Sequence, residues 1–146
     1  MPVNSKAIGK TSDPVLYAVG REKIREYARA VGETNPVHLD LEAARAAGYA
    51  DLVAPPMFAV VYSALSVGPP IFDPEVGINF AMMVHGGQDF RWGPLVVAGD
   101  EITTTATVKD IAERGGMGFY VFESVSENQR GEVVCDGMWT NIVRGV

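Results

Sequence analysis

The sequence has one cysteine and two histidines among 146 residues, and no excess of positive charge. The single thiol, Cys135, excludes an intramolecular disulfide and a cysteine-rich zinc site. The two histidines, His38 and His85, show no metal-ligand spacing, so neither a metal nor another cofactor is expected. No run approaches the roughly 20 apolar residues that span a bilayer. With 12 Lys and Arg against 18 Asp and Glu, the net charge of -6 argues against electrostatic capture of nucleic acid or an anionic membrane. Gly86-Gly87 and Gly115-Gly116 lack the strand, loop and helix context of a phosphate loop and read as bends. No G-x-S-x-G occurs, and Cys135 lies in an apolar strand pattern where a core thiol is expected, so covalent catalysis has no candidate. A cytoplasmic location is the default expectation.

What is present is the composition of a globular protein, 47% hydrophobic and 21% charged, with the length of one domain. Residues 1–13 are polar, without the apolar core of a targeting signal, and are expected to form a loose arm ahead of a single domain over 14–146. A short strand is expected at Tyr17 to Val19. Ile24, Tyr27, Ala28 and Val31 then mark one face of a helix over 21–31 that Gly32 ends. Asp40 caps a helix over 41–47. The apolar run from Met57 to Val67, bounded by Pro55-Pro56 and Gly68-Pro69-Pro70, reads as a buried helix starting near Pro56. Strands follow at 81–90, 101–111, 118–125 and 132–143, with a bulge or bend expected at Gly86-Gly87. Helices before strands favour α+β with a mostly antiparallel sheet.

Between the first two helices stands Gly32-Glu33-Thr34-Asn35-Pro36-Val37-His38-Leu39-Asp40. Asn35-Pro36 breaks the chain and presents a carboxylate and an imidazole, the pair that acid-base work on a water molecule requires. The same residues would also serve as helix caps, with Glu33 solvated and His38 an ordinary ring. Together with Ala54-Pro55-Pro56-Met57-Phe58 and Arg91-x2-Pro94-Leu95-x2-Ala98-Gly99-Asp100, the segment resembles the MaoC-like dehydratases and (R)-specific enoyl-thioester hydratases of the hotdog fold. That family's motif reads roughly G-D-x-N-P-x-H-x-D, and only Glu33, in place of aspartate, departs from it. Val-Gly-Arg-Glu-Lys-Ile-Arg-Glu and Val84-His85-Gly86-x-Gln88-x-Phe90 are similar to the short actinobacterial subunits of the mycolic-acid dehydratase.

The resemblance implies an antiparallel sheet wrapped around a long central helix. It implies reversible hydration of trans-2-enoyl thioesters of coenzyme A or acyl carrier protein, as part of fatty-acid metabolism. Glu33 and His38 are the implied catalytic pair, with Asn35, Pro56, Met57 and Arg91 as substrate contacts. The family polarises the thioester carbonyl with a glycine amide at the start of the central helix. Pro56 has no N–H to offer there, so the Met57 amide is the expected substitute. Arg91 is expected either to meet the phosphates of the carrier arm or to pack its stem on Trp92. His85, beside Gly-Gly in a strand, is expected to be a structural or dimer-contact residue. The implied assembly is a homodimer, or a heterodimer with a second hotdog subunit; the alternative function is a non-catalytic acyl-channel subunit of such a pair. A hotdog thioesterase would need a carboxylate in the central helix, and Met57 to Val67 contains none.

Overall fold

The alternation of Ile102, Thr104, Ala106 and Val108 is that of a strand with one buried face. In the computed structural model, which describes residues 2–146, all four side chains are buried. They lie on β3 (Glu101–Arg114), one of five strands with β1 (Val15–Ala18), β2 (Met83–Trp92), β4 (Met117–Glu127) and β5 (Val133–Arg144). Every pairing is antiparallel, in the order β1-β3-β4-β5-β2. A bulge between Val108 and Asp110 changes the parity of β3, which is why Ile111 is its next buried residue. The expected irregularity at Gly86-Gly87 is a register shift between His85 and Gly87.

Three helices accompany the sheet: α1 (Arg21–Ala30), α2 (Leu41–Ala46) and α3 (Ala59–Phe72). α3 packs on β3 and β4, the sheet-around-helix arrangement that the resemblance implies. Phe58, Ala59 and Tyr62 join Ile102, Val134 and Cys135 in one core cluster, while Val67 meets Val76, Tyr120 and Phe122 in a second. The polar groups taken into this contact are paired. Ser66 Oγ donates to the Thr104 carbonyl at 2.7 Å, and the Thr104 and Ser126 hydroxyls share a bond of the same length, so no desolvation penalty is left uncompensated there.

Two features differ from the sequence reading. The central helix does not stop at Val67 but runs through Pro69 and Pro70 to Phe72. Each proline withholds a helical N–H. Gly68, with no Cβ, relieves the clash a residue before proline normally meets. Pro70 is buried and Ile71 packs on the second cluster, so tertiary burial offsets what the helix loses in hydrogen bonds. The N-terminal segment, read as a loose arm, is seated on the sheet. Gly9 N–H donates to the Val108 carbonyl, Thr11 bridges to Thr107, Lys10 pairs with Asp73 and Glu75, and Ala7 is buried in the second cluster. Met1 lies outside the described residues.

The chain leaves β2 at Gly93, whose N–H donates to the Val134 carbonyl at 2.9 Å. A Cβ at this position would stand 2.1 Å from the Val133 carbonyl oxygen, which is β5 backbone and cannot step aside. Gly93→Ala is therefore expected to lower stability by at least ~1–3 kcal/mol, the range for overpacked sites. Urea unfolding at an unchanged midpoint would contradict this.

Candidate active site

Glu33 is placed by the way α1 ends. Gly32 takes φ +75°, its N–H donates to the Arg29 carbonyl, and Glu33 N–H donates to Ala28 at 2.8 Å. This is the Schellman pattern, which leaves the residue after the glycine at a fixed exit angle. The chain then turns at Asn35, whose side-chain oxygen accepts from Val37 N–H at 3.2 Å and caps a short 3₁₀ turn over Pro36–His38. Residues 52–54 run beside 96–98, with Ala54 N–H donating to Val96 and Ala98 N–H to Leu52, both at 2.9 Å. Val53 is thereby held where its N–H donates to the Val37 carbonyl at 3.0 Å.

In return, the Val53 carbonyl lies 2.6 Å from His38 Nδ1. A carbonyl only accepts, so Nδ1 carries the proton and the neutral ring presents Nε2 as a lone pair. Nε2 stands 3.9 Å from Glu33 Oε2. That is too long for a direct hydrogen bond and right for one water bound to both. The His38 side chain is 10% exposed, so packing as well as the Val53 bond fixes the plane of its ring.

The Glu33 carboxylate opens on a cavity of about 400 Å³ walled also by Tyr27, Val31, Pro55, Pro56 and Met57. Val31, expected on the core face of the helix, is 55% exposed and belongs to this wall instead. Burial and then the negative charge of Glu33 raise the pKa of the Tyr27 hydroxyl, so it stays protonated beside the carboxylate. Met57 lies in the first turn of the helical segment that continues into α3, and its N–H donates to no described residue. The structure thus brings Glu33, Pro56 and Met57 onto one cavity, with the His38 imidazole facing the Glu33 carboxylate beside it. Pro56 contributes its carbonyl, which accepts from Trp92 Nε1 at 2.8 Å.

Asn35 is next to this site, but its side-chain oxygen is occupied by the cap. Arg91 is not brought to it. Phe90 packs on the first core cluster, so on a strand Arg91 must face the other way, and it lines a separate concavity with Asp89, Glu123 and Asp136. Burial, reinforced by Glu123, raises the Asp136 pKa, while Arg91 acts against that shift. Such acidic surroundings do not suit a phosphate. His85 is exposed and edges onto the Trp139 ring at 6.2 Å. Asp100, part of the quoted pattern, is structural: its carboxylate accepts from Val97 N–H and from the Gln129 side chain.

Sequence reasoning missed Tyr27 as a wall, Trp92 as a clamp and the Val53 carbonyl as the partner that sets the histidine tautomer. Only Tyr27 left a signal, as a member of the helical stripe. Cys135 is a core thiol, 1% exposed and pushed up to about 11, mainly by burial. It is expected to resist a disulfide-exchange reagent at pH 8 in the native protein and to react at once in denaturant. Fast native labelling would count against the packing described.

A five-stranded antiparallel sheet around a central helix, with a carboxylate and a histidine converging near the start of that helix, is a hotdog scaffold of the dehydratase and hydratase kind. The family model for the FAS1-like dehydratase domain region matches residues 6–137, and the chain belongs to that family. A UPF0336 protein of Clavibacter michiganensis subsp. michiganensis is 48% identical over 146 residues, 99% of this chain and 98% of that protein. Among solved structures, the C-terminally truncated HadBC (3R-hydroxyacyl-ACP dehydratase) complex from Mycobacterium tuberculosis matches with a TM-score of 0.83 at 30% identity. The match covers 96% of this chain and 99% of that one. A MaoC-like dehydratase matches with a TM-score of 0.84 at 28% identity, over 96% of this chain and 43% of the other.

Proposed function

We propose that the protein hydrates trans-2-enoyl thioesters and, in reverse, dehydrates (R)-3-hydroxyacyl thioesters. The observation that carries this reading is the 3.9 Å separation of His38 Nε2 and Glu33 Oε2 with Nδ1 committed to the Val53 carbonyl. A water between them is oriented by the carboxylate and loses a proton to Nε2 as its oxygen adds to C3. The same proton then passes from His38 to C2, so one water supplies both groups. Negative charge grows on the thioester oxygen, and the Met57 N–H is the donor for it; a single such donor is worth about 10²–10³ in rate. The comparison with the HadBC dehydratase supports the substrate class. The test is the protein purified alone, given crotonyl and longer trans-2-enoyl thioesters while the conjugated enoyl absorbance is followed. A folded protein that turns over none of them refutes the reading.

A second reading, as the non-catalytic subunit of a heterodimer, is favoured by one observation: Glu33 is one methylene longer than the aspartate of the family motif. In both readings the acyl group arrives on coenzyme A or acyl carrier protein, and the smallest working unit is a dimer. β1 and β2 are open sheet edges, and Phe72, Phe80, Met82 and Val84 are exposed together at one end of α3 and β2, with the two phenyl rings 4.9 Å apart. Open edges and exposed apolar side chains of this size call for a partner. Sedimentation at micromolar concentration is expected to show a dimer, and a monomer would count against this assembly.

A further inference from the structure

The His38 ring is held by a carbonyl that belongs to a different segment, so its position depends on how the stretches around residues 38 and 53 are fixed to one another. α1 supplies a fixing for each. Arg21 and Arg25 are four residues apart and therefore lie side by side on one face of that helix. Arg21 forks onto Asp51, with Nε 3.0 Å from Oδ1 and Nη2 2.8 Å from Oδ2. Asp51 Oδ1 also accepts from Leu52 N–H at 2.8 Å, at the start of the stretch whose Val53 carbonyl meets His38 Nδ1. The Arg21 guanidinium, with the Leu52 N–H behind it, holds the Asp51 carboxyl below the usual carboxylate range against the opposing effect of burial, so the fork stays charged on both sides. Arg25 Nε donates to the Leu39 carbonyl at 3.0 Å, one residue beyond His38, while its Nη1 pairs with Glu22. The bond between Val53 and His38 is thus gripped from both sides by the helix whose end places Glu33.

Local helix physics does not account for Arg21. It is the first residue of α1, where the helix dipole disfavours a cation. Nor does overall stability account for the pair: Arg21 and Glu22 are 46% and 84% exposed, and ion pairs so open to water add little to it. What a guanidinium adds is geometry, since its donors leave at fixed angles and hold an acceptor in place. Neither arginine lines the Glu33 cavity, so neither meets a molecule bound there. Building on the hydratase reading of the preceding subsection, we propose that Arg21 and Arg25 are positioning residues for the reaction. They clamp the two segments that fix the tautomer of His38 and its distance from Glu33, and they act on the rate through that ring.

The experiment uses Arg25→Met and Asp51→Asn, singly and together, in the whole chain. Methionine keeps an unbranched stem without the donors. Asparagine keeps an oxygen for the Leu52 N–H and removes the charge that the Arg21 fork requires. Nitrogen NMR of isotope-labelled imidazoles reads the tautomer, and His85, the only other histidine, is the internal reference. Kinetics with crotonyl-CoA separates kcat from KM. In the native protein the neutral His38 ring is expected to carry its proton on Nδ1 alone. In each variant part of the population is expected to move to the Nε2-protonated form that histidine prefers in water, with His85 unchanged. Loss of kcat is expected to be about tenfold in each single variant and on the order of 100-fold in the double one, the scale of a misplacement of up to about an ångström. KM and the unfolding midpoint are expected to stay close to native. Native spectra with native kcat overturn the proposal. A fall in kcat with the His38 spectrum unmoved overturns it too, and makes the arginines structural only. Should Arg25→Met fail to fold, Asp51→Asn decides by the same criteria. Should the native protein turn over no enoyl thioester, the hydratase reading fails by itself and the spectra decide: a shifted His38 keeps the clamp, and an unmoved one removes it.

Discussion

His38→Ala and Glu33→Gln are each expected to lower kcat for enoyl-thioester hydration by about 10²–10⁴-fold, the range for loss of a positioned acid-base group. The double variant is expected to fall little further, because residues that act on one water act as a unit. The reason lies in the division of labour within the imidazole. Its Nδ1 is spent on the Val53 carbonyl at 2.6 Å, so only Nε2 can take a proton, and it faces the Glu33 carboxylate across 3.9 Å. Glutamine keeps the size and the backbone of position 33 but has one fewer acceptor and no charge with which to stabilise a protonated His38. His85→Ala is the comparison: its ring is exposed and set against Trp139, and kcat is expected to persist. Equal losses from His85→Ala and His38→Ala would overturn this assignment of roles.

Glu33→Asp is expected to reduce the rate by on the order of 10²-fold, the scale of a misplacement of about an ångström. Shortening the arm matters here because the backbone cannot advance to make up the length. Glu33 N–H is bonded to Ala28, Gly32 N–H to Arg29, and three residues further on the chain enters the 3₁₀ turn that carries His38. The aspartate would draw back from Nε2, and a water bound to one partner would no longer be bound to the other. A scaffold subunit that merely shapes an acyl channel holds no such geometry. A gain in hydration rate for Glu33→Asp, measured on the isolated protein, would therefore favour the non-catalytic subunit.

Much of this architecture is local in origin and was legible in the chain itself. The stripe of Ile24, Tyr27 and Ala28 with Gly32 behind it specifies α1 and its end. Asp40 caps α2 through Glu42 N–H. The alternation from Ile102 to Val108 specifies a half-buried strand. The segment from Glu33 to Asp40 specifies a broken turn that presents a carboxylate and an imidazole, because Asn35-Pro36 permits little else. Periodicity, caps and turn residues act over a few positions, so they are written where they operate.

What the tertiary structure alone decided involves partners far apart in the chain. The tautomer of His38 depends on a carbonyl 15 residues away, and that carbonyl depends on the pairing of 52–54 with 96–98. The Pro56 carbonyl meets an indole 36 residues away. α3 continues through two prolines because the second cluster buries that turn, a gain that no helix propensity contains. Arg91 turns from the site because Phe90 takes the core-facing place on β2, a parity set by pairing with β5 across the shift at Gly86. Register and long-range packing choose between faces that local sequence leaves equivalent, since a slip of one residue reverses every side chain of a strand.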